Sequence, residues 1–266
     1  MISCALVTAG YGRSPVLHGV TLGFGEGQLT GILGPNGAGK STLLRVLARL
    51  LPPASGAVRL DGRDLYAGFR EREAAHRVAL VPQEESYPYP LTVRELVELG
   101  RTPHLGPFGY PGRHDAIAVD RAIAEMDLSR LAGRLVAELS GGERKRAQVA
   151  RALAQEARIL ALDEPTVHMD VAHAIGLFGL LRRLAAAGRT VIVASHELWQ
   201  LARYCDRLVL LKRGRLVMDG PPNRVLAARE CSAAFGVRMK LLRAGGMMTP
   251  VVLGIGRRIR GGKPHE

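Results

Sequence analysis

The chain has 266 residues, 47% of them hydrophobic and 23% charged, with a formal net charge of +13. This balance excludes wholesale disorder, and a chain of this length can bury enough surface to fold without disulfide or metal staples. Its three cysteines, Cys4, Cys205 and Cys231, are scattered and form no CxxC pair, so neither a disulfide framework nor a zinc site is expected, and a reducing compartment fits.

Short apolar runs predict strands at Ser3 to Thr8, Val16 to Phe24 and Leu29 to Leu33. A helical pattern follows from Ser41 to Leu51 and stops at Pro52-Pro53. Gly56 to Leu60 and Arg77 to Val81 read as further strands. The middle is helical: Val93 to Arg101, Ala116 to Met126 and Arg144 to Glu156, with a Pro- and Gly-rich loop over Thr102 to Arg113. Strand and helix then alternate at Arg158 to Leu162, Val171 to Ala187, Thr190 to Ala194 and Glu197 to Cys205. Leu208 to Lys212 and Leu216 to Asp219 pair as a hairpin around Gly214. A second hairpin is expected over Val237 to Leu242 and Pro250 to Ile255, before a Gly/Arg-rich end read as disordered. This alternation predicts an α/β fold with a mostly parallel sheet, antiparallel strands at the N-terminus and an inserted helical subdomain.

No run of 18 or more uncharged apolar residues occurs, and the N-terminus lacks both a basic flank and an apolar core. No transmembrane helix and no signal peptide are therefore expected. Dispersed arginine accounts for the charge without a nucleic-acid partner. The tight basic cluster is Arg257-Arg258-Ile259-Arg260, followed by Lys263.

Gly34-Pro35-Asn36-Gly37-Ala38-Gly39-Lys40-Ser41-Thr42 fits G-x-x-x-x-G-K-[ST] between a predicted strand and a predicted helix. Glycines there let backbone N–H groups converge on phosphate oxygens, and the helix N-terminus adds partial positive charge. Lys40 suits the β- and γ-phosphates, and Ser41 suits Mg²⁺. The apolar strand from Arg158 ends in Asp163-Glu164. Asp163 is placed to hold Mg²⁺ through water, and Glu164 to polarise an attacking water.

Leu139-Ser140-Gly141-Gly142-Glu143 resembles the signature motif of ATP-binding cassette (ABC) ATPases, and the run from Leu139 to Thr166 is similar to that family throughout. The resemblance covers about residues 1 to 230, with the helical subdomain at about 84 to 156 and residues 231 to 266 as a C-terminal extension. It implies a P-loop NTPase (RecA-like) core. It also implies that Tyr11 stacks on adenine and that Gly34 to Thr42 hold the phosphates. Gln83 is implied to contact Mg²⁺ and water. Ser140, Gly141, Gly142 and Glu143 are implied to face the ATP of a second subunit, and Asp170 to cross the dimer interface. Glu164 is the implied general base, and His196 the switch histidine at the γ-phosphate. Catalytic work therefore falls to Glu164, His196, Gln83 and Lys40, with ATP and Mg²⁺ as cofactors and Ser41, Gln83 and Asp163 as the metal set. Three departures stand out: Glu143 where glutamine is commonest, Val167 where serine is frequent, and Glu197 where aspartate is usual.

One P-loop and one signature motif imply a head-to-tail homodimer. The stretch Leu91 to Leu105, with Gly100-Arg101-Thr102-Pro103, and the tail from Phe235 are similar to ATPase subunits of iron–siderophore, haem and cobalamin importers. That similarity implies two membrane-spanning permease subunits, an external substrate-binding protein, a place on the cytoplasmic face of the cell (inner) membrane, and no nucleic acid. Tyr87, Tyr89, Leu91, Leu105, Phe108 and Tyr110 are candidates for a permease-facing groove. The alternatives are an ABC ATPase of another transporter type, or a soluble one acting on nucleic acid, ribosomes or cofactor assembly.

Overall fold

The computed structural model describes residues 1–106, 109–244 and 247–255. In chain order the elements are β1 (Ile2–Tyr11), β2 (Ser14–Phe24), β3 (Leu29–Leu33), α1 (Lys40–Leu47), β4 (Ser55–Leu60), β5 (Arg63–Asp64), α2 (Glu71–Ala75), β6 (Val78–Val81), α3 (Val93–Glu98), α4 (Arg113–Glu125), α5 (Gly141–Ala154), β7 (Ile159–Asp163), α6 (Val171–Ala186), β8 (Thr190–Ala194), α7 (Leu198–Tyr204), β9 (Arg207–Lys212), β10 (Arg215–Gly220), α8 (Pro222–Ala227), α9 (Arg229–Phe235), β11 (Val237–Ala244) and β12 (Met247–Ile255). Short 3-10 segments add Leu99–His104, Ser129–Leu131 and Val136–Glu138.

A six-stranded sheet in the order β10-β9-β3-β8-β7-β6 is the frame. Its five strands from β9 to β6 run parallel, and β10 closes the edge antiparallel to β9. The strands read as unbroken apolar runs because both faces are covered. In β7, Leu160 and Leu162 enter one core while Ile159 and Ala161 enter the other, and β8 divides the same way between Val191 and Val193 and Ile192 and Ala194. One core holds α1, packed between this sheet and an antiparallel sheet of order β2-β1-β4-β5. The other core is covered by α6, α7 and the helices between β6 and β7. The α/β class with a mostly parallel sheet and antiparallel N-terminal strands is thus the one observed.

The short α2, α8 and α9 escaped the sequence reading, since 5 to 7 residues give too little periodicity to detect. Helix α3 ends at Glu98 and passes into a 3-10 turn, earlier than the expected Arg101. Gly100 explains the change: a Cβ there would fall on the Arg151 carbonyl of α5, so the chain runs hard against that helix. The expected disordered end and the cluster Arg257 to Arg260 with Lys263 lie outside the described residues, as does Phe108. Among the described residues no helix is long and apolar enough to cross a membrane, and all three cysteines are free and buried.

The Gly100-Arg101-Thr102-Pro103 stretch is a structural clamp. Arg101 is buried, its Nε donating to Asp115 Oδ1 at 2.8 Å and its guanidinium to Glu156 Oε2 at 2.8 Å and the Ala154 carbonyl at 2.5 Å. It therefore ties the start of α4 to the end of α5. Replacing Arg101 by Met should cost about 3 kcal/mol in urea unfolding, the low end for breaking a buried ion pair, because both carboxylates can still reach water. Asp115 is held below the usual carboxylate range, chiefly by the Gly112 amide and then by Arg101. A depressed carboxylate stabilises above its unfolded pKa, so the difference between wild type and variant should narrow as the solution is acidified.

Candidate active site

Four strand ends of the parallel sheet converge at one edge. β3 runs into Gly34, β7 ends in Asp163, β8 leads to Ser195 and His196, and β6 leads to Pro82 and Gln83. The register aligns them, with Asp163 opposite Ala194, Leu162 opposite Val81 and Ile32 opposite Ala194. In open α/β sheets this carboxyl edge is where ligands bind.

A cavity of about 440 Å³ opens there, lined by Asn36 to Thr42 together with Val16, Gln83, Glu164, Val167 and His196. Gly39, the N-cap of α1, has φ +100, and a Cβ on it would lie 2.8 Å from Leu17. The backbone turn therefore admits only glycine, which lets the first amides of α1 face the cavity. Lys40 folds back over this loop, its Nζ donating to the Gly34 carbonyl at 2.9 Å and lying 3.7 Å from Glu164 Oε1.

Glu164 is buried and holds a left-handed backbone, φ +47, fixed by its amide donating to the Ala194 carbonyl at 2.9 Å. That turn aims the carboxylate into the cavity with Lys40 on one side. On the other side, His196 Nδ1 lies 3.0 Å from Glu164 Oε2. A strained non-glycine backbone at a buried charged residue is a feature of functional sites.

Asp163 sits beneath this floor, 5% exposed, and its Oδ1 is buried without a hydrogen-bond partner. Burial pushes its pKa up, against the pull of the Ser41 hydroxyl, while the Glu164 charge raises it further. A buried carboxylate oxygen lacking a donor, next to a hydroxyl and a second carboxylate, is an oxygen donor set suited to a hard cation such as Mg²⁺.

Not every expected residue joins this cavity. Tyr11 lies at the end of β1, half exposed, with its hydroxyl accepting from Arg45 at 2.8 Å. Ser140 caps α5 and is exposed, as is Asp170, which caps α6 and accepts from the His173 amide at 2.8 Å. Gly141 lines a second cavity of about 460 Å³ beside Gln83, Arg144, Lys145 and His168. Gln83 borders both cavities. Glu143 completes a capping box, accepting from the Ser140 amide and hydroxyl at 2.8 Å each. Glutamate and glutamine both serve that box, which explains why the first departure is tolerated. Glu197 accepts instead from Trp199 Nε1 at 3.1 Å.

Sequence reasoning missed Lys145 and Arg45. Lys145 is buried on α5, donating to the Pro82 and Gln83 carbonyls at 2.7 and 2.9 Å. Burial lowers its pKa to about 8. Neither carried a signal in the sequence: Lys145 stands in the charged run Glu143 to Arg146, and Arg45 on a helix between apolar residues.

A family model described as ABC transporter matches residues 17–167. The chain belongs to the ABC transporter family. It is 39% identical over 252 residues to the ferric enterobactin transport ATP-binding protein FepC of Escherichia coli, covering 94% of this chain and 93% of FepC. It is 44% identical over 216 residues to the hemin import ATP-binding protein HmuV of Streptomyces coelicolor, covering 81% and 76%. The dimeric structure of MJ0796, a bacterial ABC transporter cassette, superposes with a TM-score of 0.73 at 29% identity, covering 84% of this chain and 99% of that cassette. This ABC subunit is an ATPase.

The glycine geometry sets an order of sensitivity. Gly37 has φ +76 but open space around it, whereas Gly39 has both a left-handed φ and a close neighbour. In equilibrium titration with ATP, Gly39→Ala should bind at least about ten-fold more weakly than wild type. Gly37→Ala, which meets only the backbone strain, should fall between the two.

Proposed function

We propose that this ATPase powers import of a metal chelate, a ferric siderophore, haem or cobalamin, through two membrane-spanning permease subunits at the cytoplasmic face of the cell membrane. An external binding protein delivers the cargo, and the ATPase acts as a head-to-tail homodimer. The observation that carries the ATP-driven part of this reading is the Glu164 carboxylate, buried between Lys40 and His196 at the floor of the phosphate loop. The cargo class is supported by similarity to importer subunits that covers 94% of this chain.

Each residue has a task that its position supports. Backbone amides of Asn36 to Thr42 and the Lys40 ammonium hold the phosphates. Tyr11, steadied by Arg45, stacks on adenine. Ser41, Asp163 and Gln83 hold Mg²⁺, which supplies charge neutralisation at the β- and γ-phosphates when bound. Glu164 accepts the proton of the attacking water. Its two neighbours, Lys40 and His196, keep it aimed, and His196 is free to turn its other ring nitrogen to the γ-phosphate. Ser140 to Gly142 present the capped N-terminus of α5 to the nucleotide of the partner subunit, with Asp170 at the same interface. ATP then favours the closed pair because ADP lacks the phosphate that these amides bind.

Glu164→Gln keeps the size and loses the base. It should bind ATP as wild type does while kcat falls about 10²–10⁴-fold. With ATP and Mg²⁺ it should elute as a dimer in size-exclusion chromatography. Captured from native membranes in mild detergent, it should bring a polytopic membrane protein with it. Ribosomes, nucleic acid or soluble proteins alone in the eluate would remove the transporter reading, and unchanged turnover would remove Glu164 as the base.

A further inference from the structure

Helix α5 begins at the signature turn and grips the loop after β6 with one face. Lys145, Gln148 and Arg151 are spaced by three, so they stack along one side of the helix. Lys145 Nζ donates to the Pro82 carbonyl at 2.7 Å and the Gln83 carbonyl at 2.9 Å. One turn and a half further on, Arg151 pairs with Glu85 Oε1 at 2.6 Å. Gln148 lines the cavity beside the same loop.

The Lys145 contact is the unusual one. The ammonium is buried, with 5% of the residue exposed, and a buried charge is tolerated only where hydrogen bonds replace its water. Both bonds go to main-chain carbonyls of the one loop whose Gln83 side chain borders the nucleotide cavity. A backbone anchor at the residue itself fixes where its carboxamide can reach, and bonds from a charged donor are roughly twice as strong as neutral ones. At its other side Lys145 lies about one turn from Gly141 and Gly142. Glu84, Glu85, Asp163 and Glu164 surround the ammonium with negative charge, which favours keeping it in place.

We propose that Lys145 is a positioning residue for catalysis: by anchoring the Gln83 backbone to α5, it sets the Gln83 carboxamide at the nucleotide and makes the signature turn move with it. This rests on the reading of Gln83 as a nucleotide-site residue. Lys145 touches no reacting atom and acts through Gln83, so its effect belongs to turnover and not to ATP affinity.

The test is a double-mutant cycle in the purified full-length protein, read as steady-state ATPase kinetics. Lys145→Met keeps the apolar stem and removes the donors. It should lower kcat about ten-fold and leave KM for ATP within about two-fold. Lys145→Arg, which keeps charged donors, should recover most of the loss. Gln83→Ala should lower kcat by itself, and adding Lys145→Met to it should cost nothing more, since the anchor then holds no functional side chain. The proposal is overturned if Lys145→Met turns over like wild type, if KM rises as kcat falls, or if the two losses multiply. If Gln83→Ala is itself silent, the reading of Gln83 fails and the proposal falls with it. An impaired Gln83→Ala beside a silent Lys145→Met removes the proposal alone. Should Lys145→Met lose its cooperative unfolding transition, Lys145→Gln takes its place. It should show a loss of about three-fold that vanishes in the Gln83→Ala background; wild-type kinetics in Lys145→Gln would overturn the charged anchor.

Discussion

Two carboxylates, Asp163 and Glu164, stand at the end of a strand buried on both faces, and the site is organised around compensating them. Each is 5% exposed. An isolated carboxylate in such surroundings takes up a proton instead of staying charged. The fold sets cations and donors around the two carboxylates from other elements. Lys40 comes from the loop after β3, His196 from the turn after β8, and Lys145 reaches across from α5. The phosphate loop needs its glycines for the same reason, because only a chain without a Cβ at Gly39 can wrap tightly enough for Lys40 to reach back. One oxygen, Asp163 Oδ1, is left without a protein donor, and an oxygen so placed suits a hard divalent cation.

The sheet was legible in the sequence because its physics is local. A parallel strand covered on both faces is apolar at most positions, and Leu29 to Leu33 and Thr190 to Ala194 are found as expected. The phosphate loop was legible because its glycines and Lys40-Ser41 have no other common use at that spacing. The capping box of Ser140 and Glu143 is likewise a short-range pattern. What stayed hidden depends on partners distant in the chain. Arg101 looks like one arginine among many until Asp115 and Glu156 close around it. Lys145 sits in the charged run Glu143 to Arg146, which reads as a solvated helix face. Its burial is decided by the loop after β6, some sixty residues away. Short helices such as α2 and α8 are made by packing, with too few turns to announce themselves.

The glycines of the signature turn carry a constraint that the motif alone does not reveal. A Cβ on Gly141 would lie 2.9 Å from His168 Cβ, and one on Gly142 would lie 2.9 Å from the His168 carbonyl. His168 itself holds a left-handed backbone at φ +67. The segment after Glu164 in the same chain therefore rests on the turn that is read as meeting the partner's nucleotide. Small residues are required there for the close approach of this loop, quite apart from any ligand. Val167, the departure from serine, borders both cavities, so an apolar side chain stands at the seam between the catalytic floor and the signature turn.

Helix α5 is consequently held along its whole length. Its first turn is capped by Ser140 and Glu143 and packed by His168. The helix is bonded to the loop after β6 through Lys145, one turn in, and Arg151, in its last turn. Its last turn is clamped by Arg101 through the Ala154 carbonyl, and Gln155 just beyond donates to the Ala75 and Val78 carbonyls. A helix anchored at three heights to three different segments cannot bend to accommodate a change at one of them; it has to tilt or slide as a unit. The contacts at Lys145 and Arg151 are charge-assisted and short. The bonds from Lys145 to the loop after β6 therefore tie the first half of α5 to the residue that borders both cavities beside Glu164.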